Sequence, residues 1–130
     1  MIISPLSVTL PRKKSSGRRV YLNLNWYRNV HFQINNQAKV QYKAAMMPQL
    51  AKLARLTCPV KIKYRYFLRQ KCDVGNIHAV IEKYFLDVLV AMGKLPDDNI
   101  QYVIGGEYTC AGIDRKNPRA EIEIIENFQQ

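Results

Sequence analysis

Asp73, Asp97 and Asp98 are the residues of this sequence best placed for chemistry, because each falls at the end of an expected helix or strand and not on a solvated helix face. Carboxylates in such positions can hold a hard divalent cation such as Mg²⁺, which takes oxygen ligands and commonly uses only one or two protein carboxylates. An ion held that way activates a water and relieves charge on a leaving oxygen, which is what phosphodiester hydrolysis needs at neutral pH. The same residues also suit plainer work, since acids at element ends cap helices and shape turns.

Other chemistries find little to stand on. The sequence contains no GxGxxG, Walker, HExxH or GxSxG motif, so no nucleotide cofactor and no serine-hydrolase site is expected. His31 has no second histidine at metal-ligand spacing, and packing, capping and a DNA contact all remain open for it. Cys58, Cys72 and Cys110 are odd in number and show no CxxC spacing, which argues against a disulfide framework or a structural zinc and favours a reducing, cytoplasmic setting. No apolar run approaches the roughly 18 residues of a membrane span. The start, MIISPLSVTL, lacks the charge pattern of an export signal.

The elements that must position the carboxylates can be read from periodicity. Leu6–Leu10 and Val20–Leu24 are expected as short strands joined by the basic loop PRKKSSGRR, with Asn23 to Asn35 as ordered loop or irregular strand. Helix formers run from Gln37 to Leu56, with a kink or a restart at Pro48. The segment PVKIKYRYFLRQK alternates, which separates Val60, Ile62, Tyr64, Tyr66 and Leu68 from Lys61, Lys63, Arg65, Phe67, Arg69 and Lys71 on the opposite face of a strand. If that parity continues, Asp73 emerges on the cationic face.

Asp73 or Asn76 can cap the next helix. Its apolar residues Ile77, Val80, Ile81, Tyr84, Phe85, Val88, Leu89 and Met92 recur at helical spacing, and Gly93 ends it. Asn76, Lys83 and Asp87 share one flank of that face, and Glu82 lies on the other. Ala79, Leu86 and Val90 lie off the main apolar face and are expected in buried or subunit contacts. After the turn KLPDDN come two further strands, within IQYVIGGEYTC and AEIEII. The expectation is one domain over residues 1–130, of the α/β (α+β) class, with a mixed β-sheet and two main helices.

Charge supplies the partner. Residues 1–71 hold fifteen Lys and Arg and no acid, and all ten Asp and Glu lie between Asp73 and Glu126 within a formal net charge of +10. That asymmetry points to a polyanion, with Arg12, Lys13, Lys14, Arg18 and Arg19 in the basic loop and Lys61, Lys63, Arg65, Arg69 and Lys71 along the strand as phosphate contacts.

The alternating strand, the step Asp73-Val-Gly-Asn76, the helix element Lys83-Tyr-Phe-Leu-Asp87-Val-Leu and the turn Leu95-Pro-Asp97-Asp98-Asn99 together resemble the RusA-like Holliday-junction resolvases, a family carried mostly by phages and prophages. The likeness runs from about Ser7 to Ile125, with its specific motifs confined to residues 69–99. It implies a homodimer that nicks branched double-stranded DNA in pairs, using Mg²⁺ or, as a substitute, Mn²⁺, in a host bacterial cytoplasm. By the same resemblance Asp73 is the first metal-binding carboxylate, Asp98 the metal ligand from the turn and Lys83 the lysine near the scissile phosphate. Asp97, Asn76 and Asp87 are secondary candidates.

Two features depart from the family pattern. Gly75 stands where a second acid belongs, and about four extra residues separate Asn76 from Lys83. A non-catalytic DNA-binding relative that lost a metal ligand at Gly75 is therefore the competing expectation. A single-strand or RNA binder using Tyr64, Tyr66 and Phe67 ranks below both, because the alternation sends the two tyrosines to the core face.

Overall fold

The computed structural model describes residues 1–12 and 15–127. Nine elements follow one another: β1 (Ile2–Pro5), β2 (Ser7–Arg12), β3 (Ser15–Tyr21), α1 (Leu24–Asn29), α2 (Phe32–Leu50), β4 (Val60–Leu68), α3 (Val74–Ala91), β5 (Val103–Ile113) and β6 (Arg119–Ile125). The fold is α+β. Four strands form a mixed sheet in the order β1-β6-β4-β5, while β2 and β3 form a separate antiparallel hairpin. Only β4 and β5 run parallel, and α3 is the crossover that parallel strands require.

Strand β4 alternates as its sequence demands. Val60, Ile62, Tyr64, Tyr66 and Leu68 are buried, and the residues between them are not. The buried face meets α3, where Tyr64 and Phe85 pack edge to face with ring centroids 6.2 Å apart. Ile81, Val88 and Leu89 of α3 and Tyr42, Met46 and Leu50 of α2 join the same core. The β4 tyrosines Tyr64 and Tyr66 are thus core residues, which removes the stacking platform that a single-strand or RNA binder would need. At the far end of α3, Gly93 adopts a φ of +73°, the left-handed conformation that commonly closes a helix.

Several boundaries differ from expectation. Asn23 to Asn35 is helical for most of its length: Asn23 caps α1 by accepting from Trp26 N, and His31 caps α2 by accepting from Gln33 N through Nδ1. Asn and His at caps had left the segment without the periodicity that marks a helix interior. The long helix runs from Phe32 to Leu50, and Pro48 sits in its last turn. Strand β1 was not expected at all. It is four residues long, and its Ser4 Oγ shares a 2.7 Å hydrogen bond with Tyr42 Oη of α2. Of the residues set aside for buried or subunit contacts, Leu86 and Val90 pack partly against the core and Ala79 is exposed. No helix among the described residues is long and apolar enough to cross a membrane.

Candidate functional site

Strand β4 stops at Leu68, and the chain turns before Asp73, so strand parity does not carry through to that residue. Asp73 instead takes the N-cap of α3, where its Oδ1 accepts from Gly75 N at 2.9 Å. The capping carboxylate is exposed and faces the positive end of an 18-residue helix. It lines a cleft of about 260 Å³ together with Arg69, Asn76, Asn23, Asn25 and Tyr21. One wall is the hairpin end and α1, and the other is the first turn of α3. The Arg69 guanidinium lies 4.2 Å from the Tyr21 ring centroid, a cation–π contact that closes the rim.

The other two acids are elsewhere. Asp97 and Asp98 follow α3 and precede β5, at the amino-terminal edge of the parallel pair, whereas Asp73 lies at its carboxyl edge. The 18 residues of α3 span roughly 27 Å at about 1.5 Å each, and the acids lie beyond its opposite ends. Within one chain, then, Asp73 and Asp98 cannot share an ion, which corrects the expectation of a common carboxylate cluster. The reason is topological: the two connections of a βαβ unit lie at opposite ends of its strands.

Asp97 does the work of a turn former, accepting from Asp98 N at 2.7 Å and from Asn99 Nδ2 at 3.1 Å. Asp98 is exposed. Lys83 is exposed on α3, ten residues after Asp73, which puts it about 15 Å further along the axis. Asp87 turns to α2, with Oδ2 3.8 Å from Lys39 Nζ. Of the expected constellation, only Asp73 and Asn76 meet in one cleft.

The basic face of β4 is also corrected. Lys63 Nζ lies 3.5 Å from Glu107 of β5, and Arg65 Nη1 lies 3.6 Å from Glu121 of β6. Lys61 is engaged as well. Direct cross-strand neighbours share a face, and the register sets Lys63 between Glu107 and Glu123 and Arg65 against Glu121. Sheet topology thus interleaves the acidic carboxy-terminal strands with the basic strand, and the track is neutralised. Exposed cations persist at Arg69 and Lys71 beside the cleft and at Arg18 and Arg19 on β3. Lys13 and Lys14 lie outside the described residues, as does the side chain of Arg12.

Sequence reasoning missed a polar cluster beneath the first turn of α3. The buried His78 shares a 2.6 Å hydrogen bond between its Nδ1 and Tyr66 Oη, and its Nε2 lies 3.4 Å from Glu82 Oε2. Its ring stacks on Tyr108 of β5 at 4.2 Å. Burial pushes the Tyr66 and Tyr64 hydroxyls well above their ordinary value. Tyr108 Oη reaches the helix start, where a Cβ added to Gly75 would lie 3.3 Å from that oxygen and 3.3 Å from Asp73 Oδ1. The i, i+4 spacing of His78 and Glu82 was a legible signal; the arrival of Tyr108 was not.

Divalent metal can be tested against these donors. No group of three His, Cys, Asp or Glu among the described residues could hold an ion, so a closed protein cage is not built within one chain. Mg²⁺ retains waters and binds through one or two carboxylates plus substrate phosphates. Asp73, with the Asn76 amide in the same cleft, fits one corner of such an open site. No protein-family model matches the chain, and no curated protein matches it.

Proposed function

We propose that the protein is a Mg²⁺-dependent endonuclease that nicks branched double-stranded DNA as a homodimer, acting in a bacterial cytoplasm. The observation that carries this reading is the position of Asp73, an exposed carboxylate at a helix N-terminus that lines a cleft with Asn76 and Arg69. Cations at the rim supply phosphate contacts, and the net charge of +10 favours encounter with a polyanion. Mg²⁺, when bound, supplies an activated water and charge relief at the leaving oxygen. Asp73 would hold it, and Asn76 would orient its waters or a phosphate.

Because Asp73 and Asp98 lie beyond opposite ends of α3, the second carboxylate comes from the other subunit on this reading. Strand β5 is the outer strand of its sheet and is exposed along most of its 11 residues. It carries a single charge, at Glu107, and so lacks the lysines and prolines that usually guard an edge. Two β5 edges paired antiparallel about a two-fold axis would set the Asp97–Asp98 turn of each subunit beside the Asp73 end of its partner. One dimer then carries two sites, as paired nicking requires.

The test is subunit mixing on a labelled four-way junction in Mg²⁺. Asp73→Asn and Asp98→Asn each lose cutting and keep junction binding, since Asn at position 73 still caps the helix and Asp98 is exposed. Mixed and re-equilibrated, the two variants regain one intact site per heterodimer and give single nicks without paired ones. Cutting by Asp98→Asn alone, or no recovery on mixing, defeats the shared site. No cutting by the unaltered protein in Mg²⁺ or Mn²⁺ defeats the enzyme and leaves the non-catalytic DNA binder.

A further inference from the structure

We propose that the Tyr108 hydroxyl is a DNA-phosphate ligand of the Asp73 site, occupying the place where Gly75 leaves room beside the helix start. Asp73 Oδ1 and Tyr108 Oη each lie 3.3 Å from the point where a Gly75 Cβ would stand. A carboxylate and a phenol from different elements therefore flank one small space at the first turn of α3. The hydroxyl is not needed by the fold, because it makes no hydrogen bond among the described residues, and the residue is 43% exposed.

Its ring, by contrast, is fixed. Tyr108 pairs with Tyr64 in the parallel register of β4 and β5, which commits its side chain to the helix side of the sheet. The His78 ring stacks on it at 4.2 Å with 22° between planes, and His78 is itself held by Tyr66 Oη at 2.6 Å. A phenol whose direction is set by packing and whose hydrogen-bonding capacity is unspent is preorganised to donate to a bound anion. A phenol beside the Asp73 carboxylate can donate to a phosphate oxygen that a second acid would repel. Gly75 is accommodated for the same reason: a larger side chain would have to displace either the hydroxyl or the capping carboxylate.

This proposal takes its ligand, a DNA phosphate, from the nuclease reading, but its test does not need hydrolysis. Binding of a labelled four-way junction is measured in Ca²⁺ across a salt series for the unaltered protein, Tyr108→Phe and Arg69→Ala. Tyr108→Phe keeps the stack and the thermal midpoint, and it raises Kd about ten-fold at every salt concentration, as expected for a lost hydrogen bond to a charged group. The slope of log Kd against log salt is unchanged, because no counterion-displacing charge is removed. Arg69→Ala lowers that slope by about one. A Kd for Tyr108→Phe within two-fold of the unaltered protein overturns the proposal, as does a weakening that accompanies a fallen thermal midpoint. Loss of cutting in Mg²⁺ with the Tyr108 effect intact would count against the nuclease alone.

Discussion

Arg69 and Tyr21 are joined by a cation–π contact of 4.2 Å that ties the segment after β4 to the end of the β2–β3 hairpin. The contact holds a permanent charge at the mouth of the Asp73 cleft, and it sets Arg69 apart from the cations further back along β4. Lys63 and Arg65 face Glu107 and Glu121 and are spent on them.

Phosphate binding should therefore depend on Arg69 and Lys71 and be nearly indifferent to Lys63 and Arg65. By fluorescence anisotropy, Arg69→Ala or Lys71→Ala lowers the salt slope of junction binding by about one each. Lys63→Ala and Arg65→Ala leave both the slope and Kd within about two-fold, since exposed ion pairs of this kind contribute roughly 1 kcal/mol or less. Equal losses at all four positions would show that the sheet face binds DNA after all.

Tyr64 Oη is a buried hydroxyl with no hydrogen-bond partner among the described residues. An unsatisfied buried polar group costs about 1–3 kcal/mol. Tyr64→Phe keeps the ring and its packing on Phe85 and His78, so denaturant unfolding should show unchanged or higher stability. A loss above about 1 kcal/mol would mean that the hydroxyl has a partner.

Alkaline pH should unfold the protein early. Burial raises the Tyr42, Tyr64 and Tyr66 hydroxyls above the ordinary value of 10.0. Their folded-state values exceed the unfolded ones, so the stability they confer is complete below pH 10 and declines as pH rises above it. Each contributes a slope of at most about 1.4 kcal/mol per pH unit while only the unfolded chain is ionised. Urea midpoints measured from pH 9 to 11 should fall steeply, and Tyr42→Phe should flatten the fall. A flat profile would mean that these hydroxyls ionise in the folded state.

Gly106 is demanded by close packing: a Cβ there would stand 2.7 Å from the Ile62 carbonyl oxygen of β4. Because backbone and not a flexible side-chain end is in the way, Gly106→Ala should destabilise by about 1–3 kcal/mol. Gly105, with nothing within 4 Å of its Cβ position, tolerates alanine. Equal thermal midpoints for the two variants would contradict the register of β5 on β4.

Much of the architecture was legible in the residues themselves. The alternation from Val60 to Leu68 and the helical recurrence from Ile77 to Leu89 define β4 and α3 because side-chain direction follows backbone period. Gly93 and Asp73 mark the helix ends through local backbone chemistry, which also needs no distant partner. The α+β class follows from that order of elements. What the sequence by itself determined about the site was one locus, Asp73 with Asn76, which are the N-cap and a first-turn residue of the same helix.

Everything that depends on non-local pairing was decided only in three dimensions. Asp73 and Asp98 are near in sequence yet sit at opposite ends of a crossover helix, and the placement of Glu107 and Glu121 beside Lys63 and Arg65 follows from strand order. Tyr108 meets Gly75 for the same reason. Sequence separation only biases which strand becomes a neighbour; the choice is made by the packing of the whole core. A local pattern can therefore announce a helix cap, but only the closed sheet selects the side chains that face it.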